Sequence, residues 1–291
     1  MIKKIQLLLL ITLVLLSSSC DFSEECHYKG DVQVCFDWKK LVNGDAIPQR
    51  METFFYGEGN TPQSFILSKD TLLTGIAAGQ QQVVTLNHPS QVTFTGTDNF
   101  ETLQLCLPTF MEKGSLHTTE APMIYMDQQQ IKVEPYDTVS CRLAPQPVIQ
   151  QVNFEFEVIR DIAVAAPLKL DTELSGVSTA YLISRMEAAR SSAMLGFSTK
   201  KESENEFKKS IRVLGLNPSV SGLEAIPKIL SASLTLEDGH LYSSEIDLTS
   251  KFENFQTGVL TCRIEIHITN QGMNMQIADW KTLDWGDIHL Q

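Results

Sequence analysis

Positive charge is scarce in this sequence. Its 291 residues include 23 Lys and Arg against 35 Asp and Glu, which gives a formal net charge of −12. Proteins that bind nucleic acid need clustered Lys and Arg to displace counterions from phosphates, so this function class is excluded. A hydrophobic content of 43% also excludes a disordered chain. The length is sufficient for two domains of common size.

Catalytic and metal-binding motifs are absent as well. The sequence contains no G-x-S-x-G, H-E-x-x-H, G-x-x-x-x-G-K-[ST] or EF-hand pattern. Its six histidines never occur at i, i+2 or i, i+4 spacing. His27 follows Cys26, and Cys35 lies downstream, but a fourth zinc ligand at usable spacing is missing. We therefore predict a protein that is not an enzyme and has no cofactor or metal.

Long hydrophobic runs are limited to one, residues 5–16, which is too short to cross a bilayer core of about 30 Å as a helix. Lys3 and Lys4 precede it, and three serines and Cys20 follow it. A basic start, a short apolar run and small residues are typical of a secretory signal peptide. The end of the run also resembles a bacterial lipobox. We predict that residues 1–19 are a lipoprotein signal peptide and that Cys20 is acylated; an ordinary signal peptide is the alternative.

The segment after Cys20 is acidic. Asp21, Glu24 and Glu25 resemble the surface-export signal of Bacteroidetes lipoproteins, although a solvated tether would have the same composition. Several acyl chains, such as palmitate, would give a lasting anchor, because each buried CH₂ contributes about 0.8 kcal/mol. We therefore predict an acidic tether over residues 20–30 and a location at the outer membrane, lipid-anchored and surface-exposed.

Five cysteines remain after Cys20, and outside the cytosol they can form disulfides. Because five is odd, at least one stays free or pairs between chains. Cys26 and Cys35 are close enough in sequence to tie the first strand to the segment before it. Cys106 and Cys141 are the next plausible pair, and Cys262 fits a buried small apolar position. Spacing alone proves none of these assignments.

Period-2 alternation of apolar residues predicts that the body is mostly β-strand. Residues 31–38 show it first, and Asp238-Gly239 between two alternating runs predicts a hairpin over 230–248. Two prolines at 145 and 147 favour a linker. We therefore predict an all-β fold of two antiparallel sandwiches, residues 31–145 and 146–291, with short helices over 161–173 and 223–228.

The order of several short stretches resembles the fimbrillin-like lipoproteins of Bacteroidales, and among them the anchor and accessory lipoproteins of minor fimbriae. The resemblance covers nearly the whole chain. It is carried by Cys20 followed by the strand ending at 37–38, and by residues 47–48, 54–59, 120–125, 180–195, 230–249 and 278–290.

This resemblance implies two tandem transthyretin-like β-sandwiches, and a role as anchor or accessory subunit of fimbriae with other fimbrial subunits as partners. In such fimbriae a strand from one subunit fills a groove in the next. Shaft subunits are cleaved after an Arg, which removes the first strand. Arg50 lies at a comparable position here. An ordinary loop arginine is the interpretation we favour, since cleavage there would release an anchor from Cys20.

A second function class stays open at this point. Trp38, Trp280 and Trp285 could form an aromatic platform for sugars. The protein would then be a glycan-binding surface lipoprotein of a polysaccharide-uptake system. Exposed coplanar aromatic rings around Trp285 would favour that hypothesis over the fimbrial one.

Overall fold

The computed structural model describes residues 28–42, 44–58, 61–216, 226–253, 255 and 257–285. The predicted signal peptide, Cys20 and Cys26 lie outside these described residues. Most of the described chain is β-strand, so the predicted all-β fold is confirmed.

Twelve strands precede residue 148. They are β1 (Lys29–Phe36), β2 (Met51–Gly57), β3 (Gln63–Leu67), β4 (Thr71–Ala77), β5 (Gly79–Asn87), β6 (Thr93–Thr95), β7 (Gln104–Cys106), β8 (Thr109–Glu112), β9 (Ser115–Thr118), β10 (Tyr125–Val133), β11 (Thr138–Leu143) and β12 (Gln146–Pro147). A 3₁₀ turn, Phe100–Thr102, precedes β7.

The remaining strands follow residue 149. They are β13 (Gln150–Arg160), β14 (Pro167–Ser178), β15 (Ala180–Leu182), β16 (Glu187–Ala188), β17 (Ser192–Ser198), β18 (Lys200–Lys201), β19 (Glu206–Val213), β20 (Ile229–Leu236), β21 (Leu241–Asp247), β22 (Gly258–Thr269) and β23 (Gly272–Leu283). One helical turn, α1 (Thr249–Phe252), connects β21 to the segment before β22.

The N-terminal half has a sheet that is buried on both faces. Sheet I has the order β11-β1-β4 and sheet II the order β12-β10-β5-β2-β3. Neighbouring residues in sheet II, such as Phe54 and Phe55 or Val83 and Val84, are all at most 3% exposed. Because successive side chains of a strand point to opposite faces, sheet II packs against sheet I on one side and a second core on the other.

The C-terminal half is a sandwich of two larger sheets. Sheet III has the order β18-β19-β13-β22-β23, and sheet IV has the order β21-β20-β14-β17-β9-β8. Alternate residues of β13, β20 and β22 are buried between the two sheets. Phe154, Phe156 and Phe197 stack at the centre of this core. The alternation of apolar and polar residues in these strands therefore gives each sheet one buried face.

Three features join the halves. The β8–β9 hairpin, which precedes residue 148, extends sheet IV of the C-terminal half. Sheet V has the order β16-β15-β7-β6, so it takes two strands from each half. The core behind sheet II also contains residues from both halves, among them Leu105, Tyr181 and Trp285. The two sandwiches therefore share buried apolar surface.

The strand pairing refines the prediction of antiparallel sandwiches. Most pairs are antiparallel, but β1–β11, β13–β22 and β9–β17 are parallel. The β20–β21 hairpin around Gly239 is confirmed, and Gly239 has a φ of 86°. The helix predicted over 161–173 is wrong. From residue 167 onward this segment is strand β14, whose backbone bonds pair with β17 and β20. Residues 223–225 of the other predicted helix lie outside the described residues.

Candidate functional site

The first strand occupies the centre of sheet I, between β11 and β4. Six residue pairs align β1 with β11 in parallel, from Asp31 opposite Thr138 to Phe36 opposite Leu143. Five further pairs align it antiparallel with β4, with a bulge between Gly30 and Val32. We call this position the β1 seat. Without β1, both neighbouring strands would expose an edge of unpaired N–H and C=O groups.

Side chains fix the register of β1 in its seat. Val32 and Val34 are fully buried in the core between sheets I and II, whereas Gln33 and Cys35 on the other face are partly exposed. Slippage by one residue would exchange these two faces. Gly30 adds a second constraint, because a Cβ at this position would overlap the carbonyl oxygen of Glu134. The bulge at Gly30 and the two valines therefore specify one alignment.

Carboxylate side chains accept hydrogen bonds from backbone N–H groups near the ends of β1. The N–H of Phe36 donates to Asp70 Oδ1 at 2.9 Å, and the N–H of Gly75 donates to Asp31 Oδ1 at 3.3 Å. The Asp37 carboxylate lies 3.5 Å from an Arg142 nitrogen on β11. Such charge-assisted bonds at strand ends limit fraying of β1.

The connection from β1 to β2 is held against the body by Tyr125. The Tyr125 hydroxyl donates to Asp45 Oδ2 at 2.6 Å and accepts a hydrogen bond from the N–H of Val42 at 3.1 Å. Burial and the bond to Asp45 raise the pKa of this hydroxyl, so it stays protonated and continues to donate. Val42 and Asp45 of this connection are therefore hydrogen-bonded to β10, and Asp45 lies five residues before Arg50.

Arg50 itself is exposed, in the residue before β2. The following residue, Met51, is 1% exposed and is aligned with Leu67 on β3 and Asn87 on β5. A protease that cleaves after Arg50 must bind residues on both sides of the bond. Because Met51 is held between two strands, cleavage would require β2 to open locally.

The other predicted site residues lie in different places. Cys20 and Cys26 lie outside the described residues, so acylation and the Cys26–Cys35 disulfide stay predictions. Cys35 lies on the outer face of β1, half-buried. Cys35, Cys106, Cys141 and Cys262 form no disulfide with one another, so the Cys106–Cys141 pairing is wrong. Cys262 is fully buried, as its alternating run predicts.

Buried thiols should resist alkylation in the folded protein. Burial raises the pKa of the Cys141 thiol to about 11 and that of Cys262 to about 12. Two pH units correspond to roughly a hundredfold smaller thiolate fraction, and the thiolate is the reactive form. We expect iodoacetamide at pH 8 to label the partly exposed Cys106 readily, and the buried Cys141 at least about 100-fold more slowly than in denatured protein, as measured by peptide mass mapping. Equal labelling rates of Cys141 in folded and denatured protein would contradict its buried position.

The three tryptophans do not form a platform. Trp285 is 8% exposed, and its Nε1 donates to the carbonyl of Ile149 at 3.1 Å, inside the core shared by the two halves. Trp280 packs edge-on against Phe252 at 5.2 Å, and Trp38 stacks on Phe36 at 5.5 Å. The arrangement around Trp285 that would favour a sugar-binding platform is not present.

The described residues contain neither a metal-binding cluster of side chains nor a helix able to cross a membrane. Groups of three or more His, Cys, Asp or Glu able to hold a metal do not occur there. Within the same residues, every helix is too short or too polar to cross a membrane.

The outer face of sheet IV carries a groove that sequence reasoning missed. It has a volume of about 630 Å³ and runs between the β8–β9 hairpin and β21, and side chains of β14, β17 and β20 form its floor. Its residues come from six strands spread over more than a hundred positions, so no local motif could have indicated it.

Comparison with known proteins supports the architecture. Residues 19–198 match the family model described as Domain of unknown function (DUF5119). No curated protein sequence matches the chain. A candidate adhesin from Bacteroides ovatus has a similar structure, with a TM-score of 0.61 and 17% identity over 87% of this chain and 94% of that one.

Two further solved structures are similar over nearly their whole length. The fimbrial anchor protein Mfa2 from Porphyromonas gingivalis has a TM-score of 0.56 at 12% identity, covering 87% of this chain and 98% of that one. A candidate cell adhesion protein from Bacteroides eggerthii has a TM-score of 0.56 at 10% identity, covering 88% and 96%. At these identities the likeness shows a shared fold.

Proposed function

We propose that this chain, which belongs to the DUF5119 family, is a surface lipoprotein of the outer membrane that acts as an anchor or accessory subunit of fimbriae. In this proposal the protein is not an enzyme. Cys20 carries the acyl chains, the acidic segment forms the tether, and the two sandwiches present the fimbrial partner with a folded body. The partners are other fimbrial subunits, which join by strand addition.

The shared fold supports the proposal at the level of architecture. One of the similar structures is named as a fimbrial anchor protein and two others as candidate adhesion proteins. All are covered almost completely by this chain, so the resemblance extends over both sandwiches. Because fold alone does not determine function, a feature of the chain itself must support the specific role.

The observation that supports an anchor most directly is the β1 seat. The tether after Cys20 leads into β1, which is bonded to β11 on one side and to β4 on the other. Val32 and Val34 fill the core beneath it. A chain whose first strand completes its own sheet keeps a continuous covalent path from lipid to body. A shaft subunit needs the opposite arrangement, with that strand removed.

The geometry around Arg50 supports the same role. The exposed Arg50 is followed at once by the buried Met51, and Tyr125 holds the preceding connection through Val42 and Asp45. A proteolytic site is ordinarily an exposed, flexible loop. We therefore propose that the chain remains uncut at this bond in the cell.

Intact mass of the protein extracted from the cell surface tests the proposal. We expect a single chain that starts at acylated Cys20 and continues through the bond between Arg50 and Met51. The matched control is Arg50→Ala, which should have the same N-terminus and the same surface level. A mature chain starting at Met51, converted to full length by Arg50→Ala, would overturn the anchor role and support a shaft or tip subunit. A chain that starts without acyl groups would overturn the lipid attachment.

A further inference from the structure

The groove on the outer face of sheet IV is a built concave surface that the proposed function does not use. Its volume of about 630 Å³ lies within the range of roughly 300–1,000 Å³ that is usual for small-ligand sites. Phe110 and His117 of the β8–β9 hairpin form one wall, and Leu241 of β21 lies at the other side. The N-terminal half therefore contributes a wall to a site whose floor belongs to the C-terminal half.

The floor of the groove is a row of hydroxyl and carboxylate groups. Strand pairing places three lining residues, Ser198, Asp171 and Ser233, side by side on β17, β14 and β20. At a strand spacing of about 4.8 Å this row spans about 10 Å, and Ser243 on β21 continues it beyond the lining residues. Ser198 Oγ donates to Asp171 Oδ1 at 2.7 Å, and the hydroxyls of Ser233 and Ser243 lie 3.2 Å apart.

Asp171 is an ionised acceptor at the centre of the row. Burial alone would raise its pKa, but hydrogen bonds from Lys169 and Ser198 hold the pKa below its ordinary value. Lys169 Nζ lies 2.7 Å from the carboxylate. Glu173, two residues further along β14 and on the same face of the sheet, also lines the groove. Fixed carboxylates beside serine hydroxyls can accept and donate hydrogen bonds to a ligand that is rich in hydroxyl groups.

The wall of the groove supplies an apolar surface. The Phe110 ring is 45% exposed and stacks on the buried His117 ring, with centroids 5.8 Å apart. This contact holds the Phe110 ring in place while leaving much of it accessible. An aromatic ring next to a row of polar groups is suited to a molecule with both apolar C–H faces and hydroxyl edges.

We infer that this groove is a binding site for neutral carbohydrate. Three acids, Glu112, Asp171 and Glu173, line the groove, against Lys113 in its lining and Lys169 paired with Asp171, and this excess of negative charge disfavours anionic sugars and nucleic acids. A peptide that binds by strand addition would need a free sheet edge, but the floor strands β14, β17 and β20 are bonded to neighbours on both sides. The ligand class follows from these residues alone. The inference goes beyond the anchor role, and loss of acylation or cleavage at Arg50 would leave it unaffected.

Gly196 offers a way to fill the groove without damaging the fold. It lies on β17 opposite Glu173, and its nearest neighbour to an added Cβ is Glu173 Cγ at 3.9 Å, an ordinary contact distance. Its φ lies outside the left-handed region, so a side chain introduces no backbone strain. Gly196→Leu should therefore fold normally and place an isobutyl group over the floor of the groove.

The test uses the full chain in detergent on an array of neutral glycans, uronic and sulfated glycans, and extended peptides. We expect at least one neutral glycan to bind. Phe110→Ala should weaken that binding at least about tenfold, which corresponds to an aromatic contact of about 1.4 kcal/mol. Gly196→Leu should abolish it. The matched control is Ser210→Leu, which adds the same side chain at an exposed position on β19, on the outer face of sheet III.

Several outcomes would overturn the inference. One is the absence of binding to every neutral glycan on the array. Another is unchanged binding by Gly196→Leu, which would place the contact elsewhere on the protein. Stronger binding of acidic glycans would contradict the charge argument. Binding of peptides that Gly196→Leu removes would show that the groove takes a protein ligand instead. Thermal unfolding of each variant checks that Gly196→Leu and Phe110→Ala remain folded at the temperature of the assay.

Discussion

Replacing Val34 with aspartate should unfold the N-terminal sandwich at temperatures where the native chain stays folded. Val34 is fully buried in the β1 seat, aligned with Cys141 on β11 and with Thr71 on β4. A carboxylate here would lie in the apolar core between sheets I and II without a cationic partner. An unpaired buried charge costs roughly 3–5 kcal/mol. At about 2–4 °C per kcal/mol, the melting temperature should fall by about 6–20 °C.

The matched control is Gln33→Asp, which adds the same charge one residue away. Gln33 faces outward from sheet I and is partly exposed, so its replacement should shift the melting temperature by only a few degrees. Circular dichroism during heating measures both variants. Hydrogen exchange should additionally show faster exchange in β4 and β11 for Val34→Asp, because these strands lose their partner. Equal melting temperatures for the two variants would show that β1 does not complete the sandwich.

Elements with one buried face could be predicted from the sequence. Strand β1 was recognisable because Val32, Val34 and Phe36 alternate with polar residues, and the β20–β21 hairpin because Asp238-Gly239 separates two alternating runs. In both cases the information is local, since a period of two and a turn dipeptide lie within about twenty residues. The all-β class followed from the repetition of such patterns.

Strand β14 shows why some local patterns mislead. Leu170 and Leu174 are fully buried, but Thr172 between them interrupts the apolar alternation, and Leu168 is 53% exposed. Thr172 can lie on the core-facing side of the strand because its buried hydroxyl has a partner: Oγ1 donates to the carbonyl of Phe197 at 2.8 Å. That bond depends on a neighbouring strand, so the sequence of β14 alone favoured a helix.

Pairing between distant segments could not be predicted. The parallel pairing of β1 with β11 joins residues about a hundred positions apart, and the β8–β9 hairpin extends a sheet of the other half. Neither arrangement has a local sequence signal, because side-chain burial on a strand does not say which strand lies beside it. The groove on sheet IV depends on several such pairings at once. The candidate site was therefore accessible only through the structure, whereas Arg50 and the cysteines were recognisable as residue types.

Replacing Trp285 with alanine should destabilise the whole protein, because the Trp285 ring lies in the core that the two halves share. The side chain is 8% exposed and packs in a cluster that also contains Phe54 and Leu105 from the N-terminal half and Tyr181 from the C-terminal half. Removing a buried tryptophan costs about 3–5 kcal/mol through lost transfer energy and the cavity left behind. The carbonyl of Ile149 also loses its hydrogen bond from Nε1.

Trp280→Ala is the matched control, since it removes the same side chain from a different environment. Trp280 is only partly buried and packs edge-on against Phe252 on the C-terminal sandwich, so its loss should cost no more than about 2 kcal/mol. Urea denaturation followed by circular dichroism gives both free energies of unfolding. Because the halves share a core, the native chain should unfold in one transition, and Trp285→Ala should lower its midpoint far more than Trp280→Ala. Two separate transitions in the native chain, with only one sensitive to Trp285→Ala, would show that the shared core does not couple the sandwiches.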